Sequence, residues 1–212
     1  MARLKPLPAV WLISDARNDA ALESALGRLP RGSGFIFRHY HLPPAKRRAR
    51  FDALARIARA GDHMVVLAGS RAMARRWGAD LAYGTGGHLV AVHSMREIGR
   101  ASQAAAVLLS PVFPTRSHPG GKVLGPLRFR LLAARAQVPV IALGGMNARS
   151  ARQLGWPRWA GIDAFSQSSS RARPGTAGPQ AQVWIRPPAI PGLARVDAIL
   201  DGILDAESPQ RA

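Results

Sequence analysis

The sequence predicts an α/β protein, a compact (β/α)8 TIM barrel with an extra C-terminal linker and helix. Three observations predict it. Short apolar runs alternate with helix-type runs, which is the pattern of parallel strands joined by crossover helices. The runs are continuously apolar, as expected of strands buried on both faces. Eight of them fit into about 165 residues, which leaves room for one barrel of minimal size.

Val10–Ser14 is an apolar strand ending in Asp15, with Asn18 or Asp19 placed to cap a helix through Leu22, Ala25 and Leu26. Gly34–Tyr40 is the second strand. Pro43 and Pro44 open a helix to Ala60 whose Phe51, Leu54, Ile57 and Ala58 share a side. Its Lys46, Arg47, Arg48, Arg50, Arg56 and Arg59 read as a solvated outer face. His63–Gly69 is the third strand, followed by a helix over Arg71–Trp77. Asp80–Tyr83 is a weak fourth strand and His88–His93 a fifth, with a helix from Met95 to about Ala104. Ala105–Ser110 is the sixth strand, with a helix over Leu127–Ala136 after a loop rich in proline and glycine. Pro139–Leu143 is the seventh strand, followed by a helix over Ala148–Leu154, and Gly161–Phe165 is the eighth.

The barrel accounts for residues 1–165. Residues 166–192 are a Ser/Pro/Gly-rich linker or lid. Residues 193–212 are an amphipathic helix and tail in which Val196, Ile199, Leu200, Ile203 and Leu204 share one face.

The chain has 212 residues and a net charge of +18, from 30 Lys and Arg against 12 Asp and Glu. Only Lys5, Lys46 and Lys122 are lysines. The arginines are spread along the chain with few aromatics among them, so compositional bias explains them better than a nucleic-acid partner does. No run approaches the ~20 apolar residues of a membrane span, so no membrane partner is expected. Residues 1–5 before the first apolar run fall short of a signal peptide, because that run is brief and broken by Pro8. The absence of cysteine excludes disulfides, thiolate nucleophiles and Cys-ligated zinc, and fits a cytoplasmic protein. No G-x-G-x-x-G follows the first strand, and neither a Walker A loop nor a G-x-S-x-G elbow occurs.

In a parallel barrel the site forms at the C-terminal ends of the strands. Arg38 lies in an aromatic strand, and an inward arginine needs either a ligand anion or a carboxylate such as Asp15. Gly144-Gly145 ends a strand before a helix, where backbone amides can meet a phosphate or simply make a tight turn. The loop from Ser110 to Lys122 offers Thr115, Arg116, Ser117, His118 and Lys122 as donors, and its three prolines suit a shaped lid. His39-x-His41 has a metal-capable spacing, but Arg38 is favoured inward and no metal ligands are assigned.

The order of these motifs resembles the thiamine phosphate synthase family and its thiazole tautomerase relatives over residues 8–165. AVLLSPVFPTRSHPGGKVLG (106–125) resembles the family's D-Y-V-x-x-G-P-V-F-P-T-x-T-K…G passage. PVIALGGMN (139–147) resembles its strand into a Gly-Gly phosphate loop. FIFRHY and VAVHS stand where the family has Q-L-R-x-K and V-S-x-H. The resemblance implies transfer of an aminopyrimidine-methyl group from its diphosphate to thiazole phosphate, with Mg²⁺ stabilising the leaving group. It implies catalytic roles for Arg38, His93, Thr115 and His118. It also implies phosphate or substrate contacts from Ser110, Pro114, Thr115, Lys122, Gly144, Gly145 and Ile162.

The chain departs from the family at defined places. Ile36 and Tyr40 replace a glutamine and a lysine, Ala68-Gly69 an Asn-Asp pair, Ala91 a serine and His118 a lysine. A second metal carboxylate falls near His88, and the tautomerase histidine at Pro111. Mg²⁺ is therefore expected from the family while its ligands are missing. The expected partner is a small phosphorylated heterocycle, thiazole phosphate or thiamine phosphate. The reading is a synthase with an eroded Mg²⁺-diphosphate site, or a non-catalytic or repurposed phospho-ligand barrel of the same family. Whether copies associate into a homo-oligomer is left open.

Overall fold

The computed structural model describes residues 6–116 and 120–165. Eight parallel strands close into a barrel in chain order, and β1 pairs with β8. They are β1 (Val10–Ile13), β2 (Gly34–Phe37), β3 (Met64–Ala68), β4 (Leu81–Tyr83), β5 (Leu89–Val92), β6 (Ala106–Leu109), β7 (Val140–Leu143) and β8 (Trp159–Gly161). The described helices are α1 (Leu22–Arg28), α2 (Pro44–Ala60), α3 (Arg71–Trp77), α4 (Met95–Arg100), α5 (Gly125–Ala133) and α6 (Ala148–Leu154). The expected linker at 166–192 and helix at 193–212 lie outside the described residues.

Alternation along each strand sorts side chains into two cores. Phe35, Phe37, Leu12, Leu67 and Leu109 face outward and pack under the helices. Trp11, Ile13, Ile36, Val66, Leu108 and Ile141 fill the barrel. Trp11 is wholly buried, and its indole N–H donates to the Pro8 carbonyl at 2.8 Å. A Cβ on Gly34 would lie 2.0 Å from the Trp11 ring, so the first residue of β2 is glycine because the indole occupies that space.

Two strands and the cap after β1 differ from the sequence expectation, and α4 and α5 end at Arg100 and Ala133 instead of about Ala104 and Ala136. β2 stops at Phe37 instead of Tyr40, because His39 adopts a left-handed φ of 38° that ends the pleat. β8 is Trp159–Gly161 instead of Gly161–Phe165. Gly161 closes the strand: a Cβ there would meet that of Ala164 at 2.7 Å, and Phe165 folds back to stack on Trp159. The cap after β1 is Asp15, and it opens a 3₁₀ segment, Ala16–Ala21, that leads into α1. Asn18 is the reciprocal member of a capping box with Asp15, its side chain accepting the Asp15 amide at 2.8 Å, and it is buried, donating to the carbonyls of Ile13 and Ile162 and so tying β1 to the chain beyond β8. As the sequence expects, β4 and β5 are joined without a helix. Gly84 to His88 turn directly between them, and a single register pair, Tyr83 with Leu89, connects the two strands. The His88 ring accepts the Ala82 amide and closes that turn.

The arginines of α2 are not simply solvated. Arg47 donates to the carbonyls of Arg38 and Ala68 and lies over the rings of Phe37, Tyr40 and Trp77. Arg50 bridges Asp19 and Glu23. Elsewhere Arg28, Arg71 and Arg130 donate to the carbonyls of Phe165, Gly86 and Leu154. Arg28, Arg47 and Arg71 thus tie helices to strand-end segments, and Arg130 ties α5 to α6. No described helix is long and apolar enough to cross a membrane.

Candidate functional site

The inward-facing positions continue past the strand ends and build the barrel mouth. On β1 the sequence Trp11, Ile13 leads to Asp15. On β2, Ile36 leads to Arg38. On β4, Leu81 leads to Tyr83, and on β6, Leu108 leads to Ser110.

Arg38 has its main chain held on both sides. Its amide donates to the Ser14 hydroxyl at 2.8 Å, and its carbonyl accepts from Arg47 at 2.9 Å. Its guanidinium lies over the Tyr40 ring, 5.7 Å from the centroid, and its Nε is buried with no hydrogen-bond partner. Asp15 does not pair with it: that carboxylate takes Arg17 at 3.0 Å. Burial pushes the Asp15 carboxyl up, but the Arg17 hydrogen bonds and the charges of Arg17 and Arg38 outweigh it and hold the group below its ordinary value. Burial pushes the Tyr83 phenol up, and the Arg38 charge works against that rise.

His93 stands exposed at the end of β5. Its Nδ1 lies 2.9 Å from the Ser110 carbonyl and 3.2 Å from the Ser110 hydroxyl. A carbonyl only accepts, so Nδ1 carries the proton and the ring is tied to the start of the β6–α5 loop.

That loop begins as a sheet extension and not as a free lid. The amides of Val112 and Phe113 donate to the carbonyls of Leu143 and Gly144, and Leu124 donates back to Pro111. The glycine pair permits this contact. A Cβ on Gly144 would lie 2.6 Å from the Pro111 Cα, and one on Gly145 would lie 2.6 Å from the Pro114 carbonyl oxygen; both glycines have positive φ. The start of α6 is closed by its own chain, because the Asn147 side chain accepts the amides of Arg149 and Ser150. Packing is thus sufficient reason for Gly144-Gly145.

Thr115 is half-buried in the loop, Pro114 and Lys122 are exposed, and Ile162 lies beyond β8 with its carbonyl accepting from Asn18. His118 and Ser117 lie outside the described residues. His39, whose ring lies 5.1 Å from that of His41, has both ring nitrogens bonded, to Ser14 and Asp19. It is buried outside the barrel, and no group of three or more His, Asp or Glu among the described residues could hold a metal ion. Asp80, the one carboxylate between residues 64 and 91, is spent at the opposite end of the barrel, where it accepts the Val65 amide at 2.6 Å. Mg²⁺ is commonly held by one or two carboxylates together with substrate phosphates; the carboxylate that the end of β1 places at the mouth is Asp15, and it is engaged by Arg17. Sequence reasoning missed Tyr83 and Ser14. Tyr83 was findable, since Leu81 facing inward places Tyr83 inward as well.

The titrations here predict acid sensitivity. Burial lowers the His39 pKa below its ordinary 6.5 despite the Asp19 carboxylate beside it. Its unfolded form binds protons first, so its contribution is complete above pH 6.5 and is lost as pH falls through the folded value. Asp15, Asp19 and Glu23 are also lowered, from 3.8, 3.8 and 4.5, and they add a second loss below those values. Urea midpoints measured across pH should be level near neutrality and fall in two stages in acid. A His39→Gln variant should lack the first stage.

The fold and mouth define a parallel α/β barrel with an arginine at the C-terminal ends of its strands whose buried Nε has no hydrogen-bond partner. Residues 89–167, which run from β5 through β8, match the family model described as thiamine monophosphate synthase. A solved thiamine phosphate pyrophosphorylase from Pyrococcus furiosus is similar in fold, with a TM-score of 0.62 at 20% identity, over 76% of this chain and 88% of that one. No curated protein matches the chain.

Proposed function

We propose that this barrel binds a small phosphorylated heterocycle, thiazole phosphate or thiamine phosphate, at its C-terminal mouth, and that the Mg²⁺-diphosphate half of a thiamine phosphate synthase site is eroded in it. The observation that carries the reading is Arg38. A buried guanidinium nitrogen without a partner is costly, and an anion in the mouth would satisfy it. The family match over residues 89–167 supports the same ligand class. In this reading His93 and Ser110 line the entry to the β6–α5 loop. Thr115, Pro114 and Lys122 approach from that loop, and the backbone at Gly144, Gly145 and Ile162 meets the phosphate.

Two measurements test it. Thiazole phosphate or thiamine phosphate should raise the melting temperature in a concentration-dependent way; no shift with either removes the phospho-ligand role. A coupled assay with both synthase substrates and Mg²⁺ should show little thiamine phosphate formation. Turnover at the 1–10³ s⁻¹ of ordinary enzymes would show that the synthase site is intact. The competing reading, nucleic-acid binding through the arginines, predicts affinity that falls steeply with salt. The arginines already bound to main-chain carbonyls argue against it.

A further inference from the structure

Outside the mouth, but bonded to it, lies an arrangement of serine, histidine and aspartate. Ser14 Oγ is 2.8 Å from His39 Nδ1, and His39 Nε2 is 2.8 Å from Asp19 Oδ1. The arrangement is not a nucleophile site. Ser14 is fully buried, and its oxygen already accepts the Arg38 amide at 2.8 Å.

The directions of the bonds follow from the partners. Asp19 also takes Arg50 at 2.8 Å and is held below its ordinary pKa, so it is an acceptor only. A neutral His39 must then carry its proton on Nε2, because a bare Nε2 would face a carboxylate oxygen. That leaves Nδ1 as an acceptor for the Ser14 hydroxyl. The chain of donors thus runs from the Arg38 amide to Ser14, from Ser14 to His39, and from His39 to Asp19. The His39 ring is fixed further by stacking on Phe37 at 4.6 Å and by its left-handed backbone, one residue after Arg38.

We propose that Ser14, His39 and Asp19 form a positioning relay that holds the Arg38 backbone where its guanidinium faces the anion in the mouth. The inference rests on the phospho-ligand reading above. It assigns a role to three residues that touch no ligand and act through Arg38.

The relay has a pH signature. Protonated His39 would donate from both nitrogens. Ser14 would then have to accept from His39 as well as from Arg38, and its own proton would lose its acceptor. The charged or titratable groups facing His39 are Asp19, Arg50 and His41, and Arg50 is itself shared with Glu23.

The test is calorimetric titration of the full chain with thiamine phosphate. Ser14→Ala should bind about tenfold more weakly than wild type at pH 7.5, the scale of one lost hydrogen bond, while Ser14→Thr should stay within about twofold. The wild-type to Ser14→Ala ratio should shrink toward one as pH is taken down through the His39 titration, since the relay is then broken in both. Ionisation of the phosphate itself cancels in that ratio. Wild-type binding that is lost in Arg38→Ala but unchanged in Ser14→Ala would overturn the relay and leave the ligand reading standing. No wild-type binding would overturn both. Should Ser14→Ala fail to fold, the tautomer decides on wild type: ¹⁵N spectra should show His39 protonated on Nε2 at neutral pH, and a proton on Nδ1 would overturn the proposal.

Discussion

Arg38→Ala is expected to weaken thiamine phosphate binding by about 100-fold and at the same time to make the unliganded protein more stable, by about 1 kcal/mol. The two signs belong together. Without ligand, Arg38 Nε is buried and bonds to nothing, so removing it relieves a desolvation penalty. With ligand, the same nitrogen gains a charged acceptor, and hydrogen bonds between ionised groups are the strong ones. A structural arginine behaves in the opposite way. Arg47, which donates to two carbonyls and covers three rings, should lower stability when truncated. Arg38→Lys keeps the charge but loses the planar fork and should fall between wild type and alanine. Urea denaturation without ligand, read beside calorimetry with it, separates the cases. If Arg38→Ala loses unliganded stability, then Arg38 is a packing residue and not a ligand group.

Arg38 was legible in the sequence for a simple reason. Strand alternation runs locally, and Ile36 facing inward leaves Arg38 on the same side. The barrel was legible on the same grounds, because strands buried on both faces write themselves as continuous apolar runs. What failed was what depends on contacts between distant segments. Asn18 reads as a helix cap and does complete the capping box with Asp15, but its amide also turns inward to bridge residues that meet only when β8 closes on β1. Three-residue β8 was misplaced because its glycine ends the strand through contact with Ala164. Ser14, Asp19 and His39 lie on separate elements, and nothing in their spacing announces a hydrogen-bonded chain. Gly144-Gly145 was found, but its close approach to Pro111 and Pro114 gives the glycines a packing reason that local sequence does not contain.

The largest stability effect should come from the floor of the barrel. Trp11→Ala is expected to cost about 4 kcal/mol, since truncating a fully buried tryptophan removes its transfer energy and leaves a cavity. Against a total of about 5–15 kcal/mol, that is a large share for one side chain. Gly34→Ala should cost about 1–3 kcal/mol by overpacking, because the added methyl meets the indole at 2.0 Å and not a flexible chain end. The informative variant is the double one. With the indole gone, the Gly34 methyl enters the space that the ring vacated. Its cost should vanish, so the two changes should fall short of additivity by about the whole Gly34→Ala penalty. Additive losses would mean that β2 rejects a side chain at position 34 for a reason of its own, such as backbone strain. That alternative is disfavoured because Gly34 is absent from the positive-φ glycines and sits in regular register opposite Trp11. The coupling therefore reports directly on whether one indole sets the sequence of the neighbouring strand.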